Sequence, residues 1–162
     1  MKNKILVITI FSILFFSTCQ KDDSLYELAP ANPDKQILIS LINETRLKGC
    51  NCGNDYFPPV NPIKWNDTLE LAAKEHSNDM KDNNYFDHKG NDGSSVGDRI
   101  NKYSYKWSTC GENIAKGYST EQKVIKGWID SPGHCRNIMN GNFKEVAVAT
   151  KGAYWTQVFA TH

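Results

Sequence analysis

The stretch GWIDSPGHCRNIM, residues 127–139, joins the end of one predicted helix to the start of another. Upstream, the segment STEQKVIKGWID (residues 119–130) places its apolar side chains on one helical face. Downstream, Ser131 suits the N-cap and Pro132 the first position of a short second helix. His134 then lies in the first turn of that helix, where the helix dipole is expected to keep an imidazole near neutrality.

Two more amphipathic helices are predicted, over residues 32–49 and 66–84. Gly49 is a typical helix stop, and His76 lies on the apolar face of the second segment. We expect His76 to be a core histidine that is hydrogen-bonded to the backbone rather than a ligand. The capping residues at the three predicted helix starts are Asn32, Asp67 with Glu70, and Ser119 with Gln122.

The rest of the chain divides into loops and a hairpin. Residues 50–62 are rich in Pro, Gly and Asn and predict a loop, and the Gly- and Asp-rich residues 88–99 predict a long surface loop. Residues 145–150 and 153–161 are β-branched and aromatic around a turn, which predicts an antiparallel hairpin. Helices followed by strands, without alternation of strand and helix, indicate the α+β class.

The charge balance excludes some classes of partner. The 162 residues carry 19 Lys and Arg against 18 Asp and Glu, and the formal net charge is +1. A net charge this close to zero does not indicate a nucleic-acid partner.

The amino terminus predicts export. Residues 1–18 have the charged start and short apolar run of a signal peptide, and the apolar residues 5–16 are too few to span a bilayer as a helix. Cys19 directly after this run resembles the lipidated cysteine of bacterial lipoproteins. We therefore expect residues 19–32 to be a lipid-anchored polar tether, residues 33–162 to be the folded domain, and the protein to be an outer-membrane or cell-surface lipoprotein whose membrane contact is the lipid.

Four further cysteines are disulfide candidates in an oxidising compartment: Cys50, Cys52, Cys110 and Cys135. A zinc site is the competing interpretation of the CNC sequence. The single residue between those two cysteines is shorter than the usual spacing in structural zinc sites, which favours disulfides.

Four stretches carry residues that can do chemistry: YFDHKG with His88, CGENIAKG with Glu112, WIDSPGH with His134, and YWTQVF. Two histidines and a carboxylate that converge in a cleft can bind a divalent metal or act as acid and base. The alternative is a buried polar network that only orders the fold. The residues expected at the periphery of such a cleft are Asp130, Ser131 and Gln157.

Taken in order, these stretches resemble the CAP family, also called SCP, of cysteine-rich secretory, antigen 5 and pathogenesis-related 1 proteins, and its bacterial secreted branch in particular. The resemblance covers about residues 34–161. It implies a three-layer α-β-α sandwich with a central antiparallel sheet and an open cleft. The motifs that carry it are WNDTLELAAKEHSNDM, YFDH, GENIAKGY, GWIDSPGHCRNIM, VAVA and YWTQVF.

In the family the cleft carries two His and two Glu, which in some members bind a divalent cation such as zinc. By motif, the histidines correspond to His88 and His134 and the first glutamate to Glu112. The second glutamate has no counterpart, because Ser131 stands at its position beside Asp130. The resemblance therefore implies a weakly bound cation, zinc or magnesium.

The motif order also bears on the cysteines. Cys135 follows His134 and Cys110 precedes Glu112 by two residues, so both are expected at the cleft rim. The simplest pairing joins the CNC loop to Cys110 and Cys135, which is one of three possible connectivities.

Two functions follow as hypotheses. The favoured one is a non-enzymatic extracellular module that binds a lipid, glycan or protein ligand. The alternative is a protease- or esterase-like hydrolase that uses the His/Glu cleft with Ser131 or a metal-bound water as nucleophile. Ser131 is better explained as an N-cap, and the chain has no HExxH motif.

Overall fold

The computed structural model describes residues 29–162. The predicted signal peptide, Cys19 and most of the predicted tether lie outside the described residues. Ala29, near the end of the predicted tether, is buried against the core of the domain. Packing therefore begins before residue 33, where the domain boundary is predicted.

Three predicted helices are present, and each begins at a different residue from the predicted one. Helix α1 spans Lys35–Lys48, α2 spans Asp67–Asp82 and α4 spans Glu121–Asp130. Several residues that can cap stand side by side at each start, so the sequence does not decide among them. The observed caps are Asp34 instead of Asn32, Asn66 instead of Asp67, and Thr120 instead of Ser119.

The predicted loop over residues 88–99 is wrong at its carboxyl end, where helix α3 spans Val96–Lys102. Ser95 and Asp98 form a reciprocal capping box that stabilises this helix start. Ile100 is fully buried, so the short helix contributes to the core.

The carboxyl-terminal helix α5 spans Pro132–Ile138 and follows α4 after one residue, as predicted. Its end is fixed by Arg46, a fully buried residue near the end of α1. The Arg46 guanidinium donates hydrogen bonds to the carbonyls of Ile138 at 2.6 Å and Asn140 at 3.0 Å. These bonds pair carbonyls near the helix end that have no partner within the helix.

The predicted loop over residues 50–62 contains a small hairpin, formed by β1 (Cys50–Cys52) and β2 (Asp55–Phe57). Gly53 turns the chain between them with φ of 70°, a conformation that favours glycine. The CNC sequence is therefore a strand, and Cys50 and Cys52 point to the same side of it.

The main sheet has four strands. The predicted hairpin is confirmed as β5 (Glu145–Lys151) against β6 (Tyr154–Thr161), and β6 also pairs antiparallel with β4 (Thr109–Lys116). The short strand β3 (Lys64–Trp65) runs parallel to β5. The strand order is therefore β3-β5-β6-β4, and the sheet is antiparallel except at the β3 edge.

The sheet is covered on both faces, which confirms the three-layer α-β-α sandwich. Helices α1, α4 and α5 pack on one face around Trp128, Trp155 and Phe159. Helices α2 and α3 pack on the other face around Leu69, Ile100 and smaller side chains of the strands. Within residues 29–162, none of the helices combines the length and the apolar character that crossing a membrane requires.

Candidate functional site

The site lies at β4, the edge strand of the main sheet. Side chains alternate between the two faces of a strand, so Glu112 faces the α2 and α3 side and Asn113 faces α5. Glu112 has only 3% of its side chain exposed. A buried carboxylate must be paired to be tolerated, and the groups around Glu112 supply that pairing.

Both carboxylate oxygens of Glu112 are occupied. Arg99, on α3, donates from Nη2 to Glu112 Oε2 at 2.7 Å, and its side chain is 2% exposed. On the other side, His88 Nδ1 lies 2.8 Å from Glu112 Oε1. The carboxylate is thus held between a buried guanidinium and an imidazole.

His88 lies in the segment between α2 and α3, and 57% of its side chain is exposed. Arg99 Nη2 also donates to the carbonyl of His88 at 3.1 Å, so the same guanidinium fixes the backbone of His88 and its carboxylate partner. The hydrogen bond with Glu112 raises the pKa of His88 above its ordinary value. Since Nδ1 is engaged, Nε2 is the ring nitrogen that can meet a ligand.

His76 is a core histidine, as predicted. It is fully buried, and Nε2 lies 2.9 Å from the carbonyl of Asp87. The structure adds a second neighbour, because Nε2 also lies 3.8 Å from Glu112 Oε1. Burial lowers the pKa of His76, so the neutral ring serves to hold the segment that carries His88.

His134 lies in the first turn of α5 and is partly buried. Burial, and to a smaller extent the charge of nearby His88, lowers its pKa. This direction is the one that the position of His134 at the helix start predicts. The backbone is held by Asn113, which donates from Nδ2 to the carbonyl of His134 at 3.1 Å.

Asn137 completes the connection between α5 and β4. It donates from Nδ2 to the carbonyl of Glu112 at 3.1 Å and to Asn113 Oδ1 at 2.8 Å. The strand that positions Glu112 and the helix that positions His134 are therefore joined by side-chain amides.

None of the three residues predicted at the cleft periphery is among those that line the cavity beside His88 and Glu112. Gln157 is fully buried on the α5 face of the sheet, opposite to the face of Glu112, and accepts a hydrogen bond from Asn113 at 2.8 Å. Asp130 is 60% exposed and forms an ion pair with Lys126. Ser131 occupies the N-cap position of α5, but in the described chain its side chain makes no capping hydrogen bond.

An open cavity of about 430 Å³ lies beside His88 and Glu112. His134 is not among the residues that line it. In residues 29–162, moreover, Cys50, Cys52 and Cys135 are the only group of three His, Cys, Asp or Glu side chains whose ligand atoms all lie within 4.8 Å of one another. The other residues that line the cavity are Asp87, Lys89, Gly93, Ser95 and Val96.

Glu112 therefore hydrogen-bonds to Nδ1 of His88. Glu112, His88 and His134 do not form one compact cluster of ligand atoms. Arg99, which carries this arrangement, was not predicted as a site residue. Its helix was detectable, because Ser95 and Asp98 have capping-box spacing. Pairing of its guanidinium with Glu112 depends on tertiary packing and has no local signal.

The cysteines within residues 29–162 form one disulfide, between Cys52 and Cys135, with a Cα–Cα distance of 5.4 Å. Among the described cysteines, Cys50 and Cys110 are not bonded. The predicted link from the CNC strand to Cys110 is therefore absent from the structure. The reason is the strand register, which places Cys110 on the α2 and α3 side of the sheet, away from the cysteines at α5.

Comparison with known proteins agrees with this architecture. The model of the cysteine-rich secretory protein family, abbreviated CAP, matches residues 40–159. The chain belongs to this family. The family and fold that the motif order implies are thereby confirmed.

Two curated relatives of the chain are much longer proteins. YkwD of Bacillus subtilis is 41% identical over 102 residues, which cover 62% of this chain and 40% of YkwD. The membrane protein YlbC of the same species is 33% identical over 97 residues, which cover 60% of this chain and 28% of YlbC. The chain thus spans less than half the length of these relatives.

Solved structures of bacterial proteins have the same fold. An extracellular protein with an SCP domain from Bacillus anthracis superposes with a TM-score of 0.69 and 31% identity, over 78% of this chain and 40% of that one. An outer surface protein from Borrelia burgdorferi gives a TM-score of 0.66 and 24% identity, over 81% of this chain and 97% of that one. The extracellular location of the Bacillus anthracis protein agrees with export, which the amino terminus of this chain predicts.

Proposed function

We propose that this CAP protein is an exported, lipid-anchored binding module, without catalytic activity, whose His/Glu cleft holds a divalent cation weakly. The observation that carries the proposal is the contact between His88 Nδ1 and the buried Glu112 carboxylate. A carboxylate behind a histidine fixes the ring and its tautomer, and it raises the basicity of the free nitrogen. Metal-binding histidines are supported in this way.

The cation ligands in this proposal are His88 Nε2 and a ring nitrogen of His134. Glu112 acts as the supporting carboxylate, because both its oxygens already have partners. Imidazole ligands suit zinc, whereas magnesium prefers oxygen, so zinc is the favoured ion. With two protein ligands and water in the other positions, the dissociation constant is expected at about micromolar or weaker.

The ligand-binding role rests on the cavity beside His88. Its wall combines small and apolar residues, Gly93 and Val96, with the polar residues Lys89 and Ser95. A lipid, a glycan or a segment of a partner protein would lie against this wall, next to the cation.

The hydrolase alternative needs a base in contact with its nucleophile. In the described chain, no hydrogen bond joins Ser131 to His88 or His134. No observation therefore favours Ser131 as a nucleophile. If the protein is a hydrolase, the nucleophile to test in an assay is a metal-bound water.

Zinc calorimetry on the mature protein tests the proposal. The wild type should bind one zinc ion, and His88→Ala and His134→Ala should each weaken binding at least tenfold. His162→Ala is the matched control, because His162 is exposed and bonds to the carbonyl of Lys106, away from the cleft. Equal zinc binding by all three variants would contradict the proposed site, and zinc-dependent ester or peptide hydrolysis lost with His88 would favour the hydrolase.

A further inference from the structure

Three sulfur atoms meet where the β1–β2 hairpin packs on α5. Cys52 and Cys135 form the disulfide, and Cys50 Sγ lies 3.6 Å from Cys135 Sγ. Cys135 Sγ also lies 3.8 Å from the carbonyl of Asn51, so it sits over the middle of the CNC strand. A third sulfur is thus in van der Waals contact with an existing disulfide.

We propose that Cys50, Cys52 and Cys135 form a thiol–disulfide exchange site in which Cys135 pairs with either cysteine of the CNC strand. The Cys50 thiolate attacks Cys135 Sγ, the Cys50–Cys135 bond forms and the Cys52–Cys135 bond breaks. Cys52 leaves as a thiolate and takes up the proton that Cys50 released. One disulfide and one thiol are present before and after the exchange, so it needs neither oxidant nor reductant.

The strand geometry allows Cys135 to pair with either Cys50 or Cys52, one at a time. Cys50 and Cys52 are two residues apart on β1 and therefore face the same side. Apart from the disulfide, the hairpin contacts α5 through the Arg136–Asp55 ion pair at 3.0 Å and through the close approach of Gly53 to Pro132. These contacts are compatible with either pairing.

The two pairings differ in the thiol that they leave accessible. Cys50 is partly exposed, whereas Cys52 is fully buried. The Cys52–Cys135 form therefore offers a thiol that an external disulfide can reach, and the Cys50–Cys135 form hides its thiol. Burial raises the pKa of Cys50, which keeps the thiolate fraction small and the exchange slow.

Peptide mapping of the oxidised, exported protein tests the proposal. Free thiols are alkylated with a maleimide in acidified denaturant, and the trypsin products are fragmented without reduction. Trypsin leaves Cys50 and Cys52 on one peptide and Cys135 on another, so fragmentation between Cys50 and Cys52 shows which of the two carries the label and which is bridged to Cys135. The wild type should show both pairings, with the label mainly on Cys50 and a minor part on Cys52.

Three variants make the result decisive. Cys52→Ser should form the Cys50–Cys135 bridge, Cys50→Ser should keep only Cys52–Cys135 and lose all label on Cys52, and Cys110→Ser should keep the wild-type pattern. Unbridged Cys50 and Cys135 in Cys52→Ser, or a wild type whose label never occurs on Cys52, would overturn the proposal.

Discussion

At the scale of single residues, the cleft is organised by one carboxylate. Glu112 meets Arg99 with one oxygen and His88 with the other, and His76 lies 3.8 Å from the second. The guanidinium balances the buried charge, so the contact with His88 orients that ring without leaving the carboxylate unpaired. The contact with Glu112 raises the pKa of His88, whereas burial lowers the pKa of His134.

The two imidazoles should titrate separately in the metal-free protein. We expect a pKa above 6.5 for His88 and below 6.5 for His134, so that between the two values His88 is charged and His134 is neutral. The stabilising contact of charged His88 with Glu112 is complete below pH 6.5 and is lost as the pH rises through the His88 pKa. Proton NMR titration of the imidazoles measures both values.

Glu112→Gln is the diagnostic variant for this titration. It keeps hydrogen-bonding atoms near Arg99 and removes the negative charge, so the pKa of His88 should fall towards 6.5. A His88 titration that is unchanged in a folded Glu112→Gln protein would show that Glu112 does not control this histidine.

His88, Glu112 and His134 were accessible from the sequence because each lies on a family motif. Arg99 was not, because its role depends on the packing of α3 against β4. The orientation of Gln157 was also not predictable from the sequence, because the face to which a strand residue points depends on the register of the sheet. Gln157 lies one position along β6 from Val158, the partner of Glu112, and therefore faces away from it.

At the scale of elements, apolar periodicity predicted the three long helices, and turn-flanked β-branched residues predicted the β5–β6 hairpin. Helix α3 and the β1–β2 hairpin were missed because they are short, and their residues are polar or rich in glycine. Their stability comes from specific local bonds, namely the Ser95–Asp98 capping box and the bridge from Cys52 to α5.

Alanine substitutions at Gly127 in α4 and at Gly133 in α5 test the packing of these helices. A Cβ at Gly127 would lie 2.3 Å from Tyr118 Oη, whereas a Cβ at Gly133 would meet no atom within 4 Å. Gly127→Ala should therefore destabilise the protein by about 1–3 kcal/mol, despite the better helix propensity of alanine. Gly133→Ala should be neutral or stabilising by up to about 1 kcal/mol.

Chemical denaturation measures both free energies of unfolding. The two variants are matched, because each adds one methyl group to a helix of the same layer. Equal effects of the two substitutions would contradict the described contact between α4 and Tyr118.

At the scale of the whole molecule, the order of the motifs along the chain predicted the three-layer sandwich, because the family has the same motif order. The domain then places its cleft at the edge strand β4. The covalent bridge and the amides of Asn113 and Asn137 join that strand and the β1–β2 hairpin to α5. Tethering of this domain to a membrane surface is the remaining part of the proposal.

The lipid anchor is expected on Cys19. Cells that express the protein and are fed an alkyne fatty acid should label the wild type, and Cys19→Ala should lose the label because the acceptor thiol is removed. Cys110→Ser should be labelled like the wild type. Undiminished labelling of Cys19→Ala would disprove the anchor.

A cation held by two imidazoles, with Glu112 hydrogen-bonded to one of them, should be visible by anomalous diffraction from a zinc-soaked crystal. We expect a zinc peak about 2.0–2.1 Å from His88 Nε2 and from a ring nitrogen of His134, with Glu112 still bonded to His88 Nδ1. A crystal at saturating zinc without a peak between these imidazoles, or with zinc bound directly by Glu112, would contradict it.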